Sequence, residues 1–188
     1  MLFLILGLVI FFGIHSVRIV AAGFRNAQIA TNAGRWKGLY ALVSLVGFAL
    51  IVWGWRLYRP EAPEIYEPPT WGRHVASLLV LAAFIALASA YLPAGQIKHR
   101  LKHPMLAGII LWAIGHLLAN GDLASLLVFG GFLLYGIVDR VAVLSRGDPA
   151  PAVVRPSSDL IAAGIGAVVF AAFGFWLHGW LFGVSPFT

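Results

Sequence analysis

Six apolar runs follow one another along this chain, at residues 2–21, 39–57, 74–92, 105–119, 123–144 and 160–183, with only short polar stretches between them. A helix that crosses a bilayer needs about 20 apolar residues. Backbone polar groups inside hydrocarbon must be satisfied within the chain, which leaves helices or a closed barrel. Runs of this length argue for helices. A chain of 188 residues that is 61% hydrophobic, with mean hydropathy +0.90 and only 11% charged residues, carries more apolar surface than a water-soluble fold of its size can hide. The expectation is an all-α integral membrane bundle of six transmembrane helices, forming a single domain over residues 1–188.

Charge placement orients that bundle. The first loop carries Arg18, Arg25, Arg35 and Lys37, the third Lys98, Arg100 and Lys102, and the fifth Arg140, Arg146 and Arg155. The opposite side holds only Arg56, Arg59 and Arg73, mixed with Glu61, Glu64 and Glu67. By the positive-inside rule the three basic loops are cytoplasmic and both termini lie outside. The net charge of +6 is thus explained by topology and not by a nucleic-acid partner. No basic region precedes the first apolar run and no small-residue cleavage site comes after it, so that run reads as a retained helix. There is no cysteine, which excludes disulfides, thiolate ligands and covalent c-type haem attachment.

The fourth run is short for a crossing and is followed by Asn120-Gly121-Asp122, a turn that makes runs four and five an antiparallel hairpin, with Asp122 as a candidate helix cap. Residues 58–70 read as an extended outer segment with an aromatic belt of Trp53, Trp55, Tyr58, Tyr66 and Trp71. Ala163, Ala167 and Ala171 form a small stripe expected to face a neighbouring helix. Asp139-Arg140 reads as an interfacial ion pair.

Two histidines fall deep within apolar runs. His15 lies roughly 20 Å from the outer start of its helix and His116 roughly 18 Å from the inner start of its own. An imidazole in hydrocarbon is costly unless it is hydrogen-bonded, metal-bound or facing a wet cavity. An interhelical hydrogen bond satisfies that requirement, and so does a shared iron porphyrin. For the second reading the metal ligands are His15 and His116, Arg18 pairs with a propionate, Trp112 lines the pocket, and Ala113 and Gly115 leave room for a flat macrocycle. His74 and His178, nearer the outer ends of their helices, read as helix-contact residues, although either is an alternative partner for His116. His99 and His103 are surrounded by Lys98, Arg100 and Lys102, whose field repels a cation. No nucleophilic triad, phosphate loop or carboxylate pair is present, which disfavours hydrolysis and phosphoryl transfer.

Phe12-Gly13-Ile14-His15-Ser16, the stretch from Arg35 to Ser44, and His103-Pro104 through Trp112, His116, Leu117, Asn120, Gly121 and Asp122 together resemble the NnrU family over nearly the whole chain. That resemblance implies a bacterial inner-membrane protein linked to nitrite and nitric oxide metabolism in denitrification. The family is similar to the plant 15-cis-zeta-carotene isomerases, which use haem b, and His15 and His116 match the histidines implicated there in haem ligation. The plant enzymes carry a cysteine three residues before the second histidine, where this chain has Ala113, so a thiolate–imidazole ligand exchange is not available here. Three functions are then in contention. The first is a haem b protein that senses nitric oxide, transfers electrons or assists another protein. The second is a haem-dependent isomerase acting on a polyene lipid. The third is a haem-free transport or assembly subunit. All three work among membrane lipids.

Overall fold

The computed structural model describes residues 1–147, 149–151 and 154–187. Apart from one isolated bridge the ordered elements are helical: α1 (Leu2–Val20), α2 (Ala22–Tyr58), α3 (Gly72–Tyr91), α4 (Gln96–Leu101), α5 (Pro104–Ala119), α6 (Leu123–Ser145), α7 (Pro156–Ala172) and α8 (His178–Phe182). Among the described residues, five stretches are long and apolar enough to cross a membrane: Leu2–Val20, Ala22–Glu61, Gly72–Tyr91, Leu123–Ser145 and Pro156–Phe182. The 16 residues of α5 make a shorter apolar helix, about 24 Å long. Two compact units divide the chain, Met1–Pro63 and Glu64–Thr188.

The first unit is an antiparallel helix pair. Its seam is built on glycines, because apolar surfaces already bathed in lipid gain most from close backbone contact. A Cβ on Gly7 would come 2.6 Å from the Ile51 nitrogen, and one on Gly47 would come 2.8 Å from the Phe11 nitrogen. Leu4 is fully buried beside Gly54. The expected loop between these helices is instead largely helical: Ala21 breaks the path and α2 continues from Ala22. Alanine, glutamine and arginine in this stretch are strong helix formers. The loop composition is felt at Asn32, whose backbone is non-helical (φ −159°, ψ 97°) and whose Oδ1 accepts from the Arg35 amide at 2.9 Å. Asn32 thus kinks α2 and caps its apolar part. Trp55, expected in an interfacial belt, is 8% exposed within this pair, with the Arg59 guanidinium 5.0 Å from its ring, whereas Trp53 is exposed.

In the second unit α3 packs on both α5 and α7, and α6 packs on α5. The α5–α6 hairpin forms as expected, with Asp122 capping α6 through the Ser125 amide (2.8 Å) and hydroxyl (2.7 Å). Proline opens α5 and α7 at their first turns, where no amide donor is missed. The short α4 is held by Asp159, which accepts from the Gln96 and Ile97 amides. Lys98 closes the end of α3 on the Ala90 and Leu92 carbonyls.

Three expectations change here. The small residues of α7 that meet α3 are Ala162 and Gly166, whose absent Cβ would lie 2.7 Å from the Ile85 backbone, while Ala167 is exposed. Asp139 and Arg140 do not form a pair. Adjacent residues on a helix diverge by about 100°, so Asp139 is buried near Tyr135 while Arg140 reaches the Leu101 carbonyl. The outer segment is not simply extended over the surface. Glu64 bridges to Asp122, the Ile65 amide donates to the Gly121 carbonyl at 2.9 Å, and Tyr66 is hydrogen-bonded to the end of α5.

Candidate functional site

His116 lies one turn before the end of α5, the point where the apolar helix meets the Asn-Gly-Asp turn. Its Nδ1 donates to the Trp112 carbonyl at 2.8 Å. A carbonyl oxygen only accepts, so Nδ1 carries the proton, and in the neutral ring Nε2 keeps a lone pair. An imidazole whose distal N–H is tied to a backbone carbonyl is the usual arrangement of a histidine metal ligand. Around the ring stand Trp112 (centroids 4.7 Å apart) and Phe129 (4.5 Å). Trp112 is itself fixed edge-on by Phe129 and Phe132, at 5.1 and 5.4 Å. Phe129 and Phe132 come from α6, so the hairpin positions the whole slot.

The third neighbour of His116 is His178, with ring centroids 6.5 Å apart and planes 16° from parallel. A π-helical turn, Phe173–Leu177, immediately precedes His178. Such a turn takes in one more residue than an α turn and rotates the face presented by the helix beyond it. Past α8, Gly183 adopts the left-handed conformation (φ 74°) that glycine tolerates best. The chain folds back there, and the Val184 carbonyl accepts from His178 Nδ1 at 2.7 Å. His178 thus has the same protonation geometry as His116.

His15 lies in the first unit, where its Nδ1 donates to the Phe11 carbonyl at 2.7 Å and its ring stacks on Phe11, centroids 4.0 Å apart. Tyr40 of α2 lies 5.1 Å away. Arg18, one turn on, is exposed. Of the residues singled out from sequence, Trp112 and His116 share one slot, while His15 and Arg18 belong to the other unit. Gly115 does not leave space for a macrocycle, since a Cβ there would lie 3.2 Å from the Ala76 carbonyl of α3; Ala113 is likewise fully buried. Their smallness serves helix packing.

His74 lines an outward-opening cleft of about 580 Å³ with Arg73, Ser77, Ala119 and Phe187. The exposed guanidinium of Arg73 makes that cleft suited to carboxylate or phosphate groups. His99 Nδ1 is 3.2 Å from the Pro151 carbonyl, a structural role. Among the described residues no three histidine or carboxylate side chains converge as a metal-binding group. The donor set in hand is therefore one of paired imidazoles with aromatic walls. That fits an iron porphyrin, which brings four ligands of its own and needs only axial nitrogen from the protein.

Sequence reasoning passed over Phe129 and the 183–187 turn. Phe129 reads as ordinary core in an apolar run. The Gly183 that reverses the chain is a signal present in the sequence, but a carbonyl partner for His178 is not.

No curated protein and no solved structure matches the chain. A family model described as NnrU protein matches residues 3–186, nearly all of its length. With a match of that extent over both helical units, the chain belongs to the NnrU family.

Proposed function

We propose that this NnrU-family chain is a six-crossing protein of the bacterial inner membrane that binds haem b and serves nitrite and nitric oxide metabolism in a sensing, redox or accessory role. The observation that carries the reading is His116: an apolar-helix imidazole with Nδ1 committed to the Trp112 carbonyl and its ring walled by Trp112 and Phe129. His15 has the same commitment of Nδ1, to Phe11, and is the other ligand candidate.

Bound there, the iron would supply one-electron chemistry and affinity for a small ligand such as nitric oxide. The protein's own contributions come from its residues. The Trp112 carbonyl fixes the His116 ring and its tautomer, leaving Nε2 as the donor nitrogen. Trp112, Phe129 and Phe132 exclude water, which lowers the local dielectric and tunes the potential of a group held there. Where His15 is the second ligand, Arg18, one turn beyond it, is the cation for a propionate.

The test is an absorption spectrum of the detergent-purified chain, oxidised and dithionite-reduced, with a pyridine haemochrome assay. Near-stoichiometric haem b is the expected result. A chain that holds none, even after incubation with hemin, overturns the reading and leaves the histidines as helix contacts.

A further inference from the structure

We propose that the ligand pair for the iron lies wholly within the second unit, with His178 rather than His15 opposite His116. The proposal rests on the haem reading above and adds the identity of the second protein ligand.

The first argument is spacing. With metal–nitrogen bonds of about 2 Å on each side, plus the ring radii, two imidazoles on opposite sides of one metal ion have centroids about 6.3 Å apart. A tetrahedral ion would hold them nearer, at about 5 Å. The observed separation is 6.5 Å, with planes 16° from parallel. Each ring also has a closer aromatic neighbour, Phe129 at 4.5 Å for His116 and Phe182 at 5.0 Å for His178, which fixes it from another side.

The second argument is orientation. Both rings hand Nδ1–H to a backbone carbonyl, Trp112 in one case and Val184 in the other, so each neutral ring keeps Nε2 as its donor nitrogen. His15 shares this commitment, so orientation qualifies all three rings as ligands and the observed spacing singles out His178 for His116.

The third argument is how His178 comes to be there. Helix α7 packs on α3. The π turn at Phe173–Leu177 changes the helical register of α8, and His178 arrives beside His116 of α5. Single π turns of this kind recur at functional sites. The reversal at Gly183 then supplies the Val184 carbonyl. A helix contact alone requires neither feature. The cleft that Arg73, His74 and Phe187 line opens one helical turn beyond His116, at Ala119, giving acidic groups of a ligand in this unit a cationic neighbour.

The experiment uses the full chain in detergent, loaded with hemin, and reads spin state by absorption and electron paramagnetic resonance. The wild type is expected to be low-spin. His178→Ala should become high-spin and lose affinity for hemin by at least the roughly 10–100-fold that removal of an outer-shell partner costs, whereas His15→Ala should stay low-spin. His178→Gly, which leaves a space of imidazole size, should return to low-spin with hemin still co-eluting with the protein, at an imidazole concentration too low to convert free hemin in the same detergent. A low-spin His178→Ala together with a high-spin His15→Ala would overturn the pair and leave the haem reading standing. A high-spin wild type would do the same. A wild type that takes up no hemin would overturn both.

Discussion

The Nδ1 of His116 and the carbonyl oxygen of Trp112, one turn earlier on α5, lie 2.8 Å apart. That bond uses the helix's own backbone to orient a side chain, and it decides which nitrogen is left to act. His116→Ala should therefore abolish haem retention while the hairpin persists, because Phe129 and Phe132 still meet Trp112. The check is the haem-to-protein ratio after gel filtration, read by pyridine haemochrome. An unchanged ratio removes His116 from the ligand set.

Tyr66 ties the segment after the first unit to the end of α5, its hydroxyl directed at the Leu117 and Asn120 carbonyls. Burial, and then the negative charge of Asp122, raise its hydroxyl above the usual 10.0. A raised folded value means that the protonated hydroxyl stabilises the fold fully below pH 10.0, and that this contribution fades as pH rises through the raised value. Hydrogen exchange at the Ile65 amide should accordingly accelerate above that range beyond its intrinsic base catalysis. Tyr66→Phe should cost about 1 kcal/mol at neutral pH and remove the excess acceleration. Identical alkaline profiles for wild type and variant would refute the assignment.

Gly121 is placed where any side chain would strike the Tyr66 carbonyl. Its own carbonyl accepts from the Ile65 and Tyr66 amides, so the two segments meet backbone to backbone. Gly121→Ala should push residues 64–69 off the turn and destabilise the second unit by about 1–3 kcal/mol, the usual cost of overpacking. Limited proteolysis reports this directly: cleavage between Glu64 and Glu67 should appear in the variant and not in the wild type. Gly130→Ala, with only the far end of Leu126 near it at 3.9 Å, serves as the control that leaves this segment closed.

The membrane helices and the α5–α6 hairpin were legible because hydropathy and turn chemistry are local signals: Asn120-Gly121-Asp122 announces both the stop of one helix and the cap of the next. His116 was legible for the same reason, as a polar group where hydrocarbon makes it expensive. The relations set by packing could not be read. Whether Ala162 or Ala163 meets α3 depends on a rotation of one residue, which four-residue spacing cannot fix. Trp55 and Trp53 have equal claim to an interface by composition, and only the Gly47–Gly54 seam decides that Trp55 turns inward. By sequence His178 reads as a helix-end residue because a π turn has no distinctive composition, so the register change that brings it to His116 leaves no trace in Phe-Gly-Phe-Trp-Leu.

Topology supplies the last prediction. Lys98, Arg100 and Lys102 sit on or beside α4, between α3 and α5, and Arg146 and Arg155 flank the connection from α6 to α7. If α5 crosses despite its 16 residues, these two basic connections share a side, and the 120–122 turn lies opposite. If α5 does not cross, the connections fall on different sides, and one basic cluster must be carried across the membrane against its charge. Alkaline phosphatase, active only outside the cytoplasm, should therefore be active when fused after Gly121 or at the C-terminus and inactive after Leu101 or Gly147. Activity at Gly147 with inactivity at Gly121 would show that α5 is not a crossing. The imidazole of His116 would then lie near a membrane surface and lose its reason to be shielded by Trp112 and Phe129.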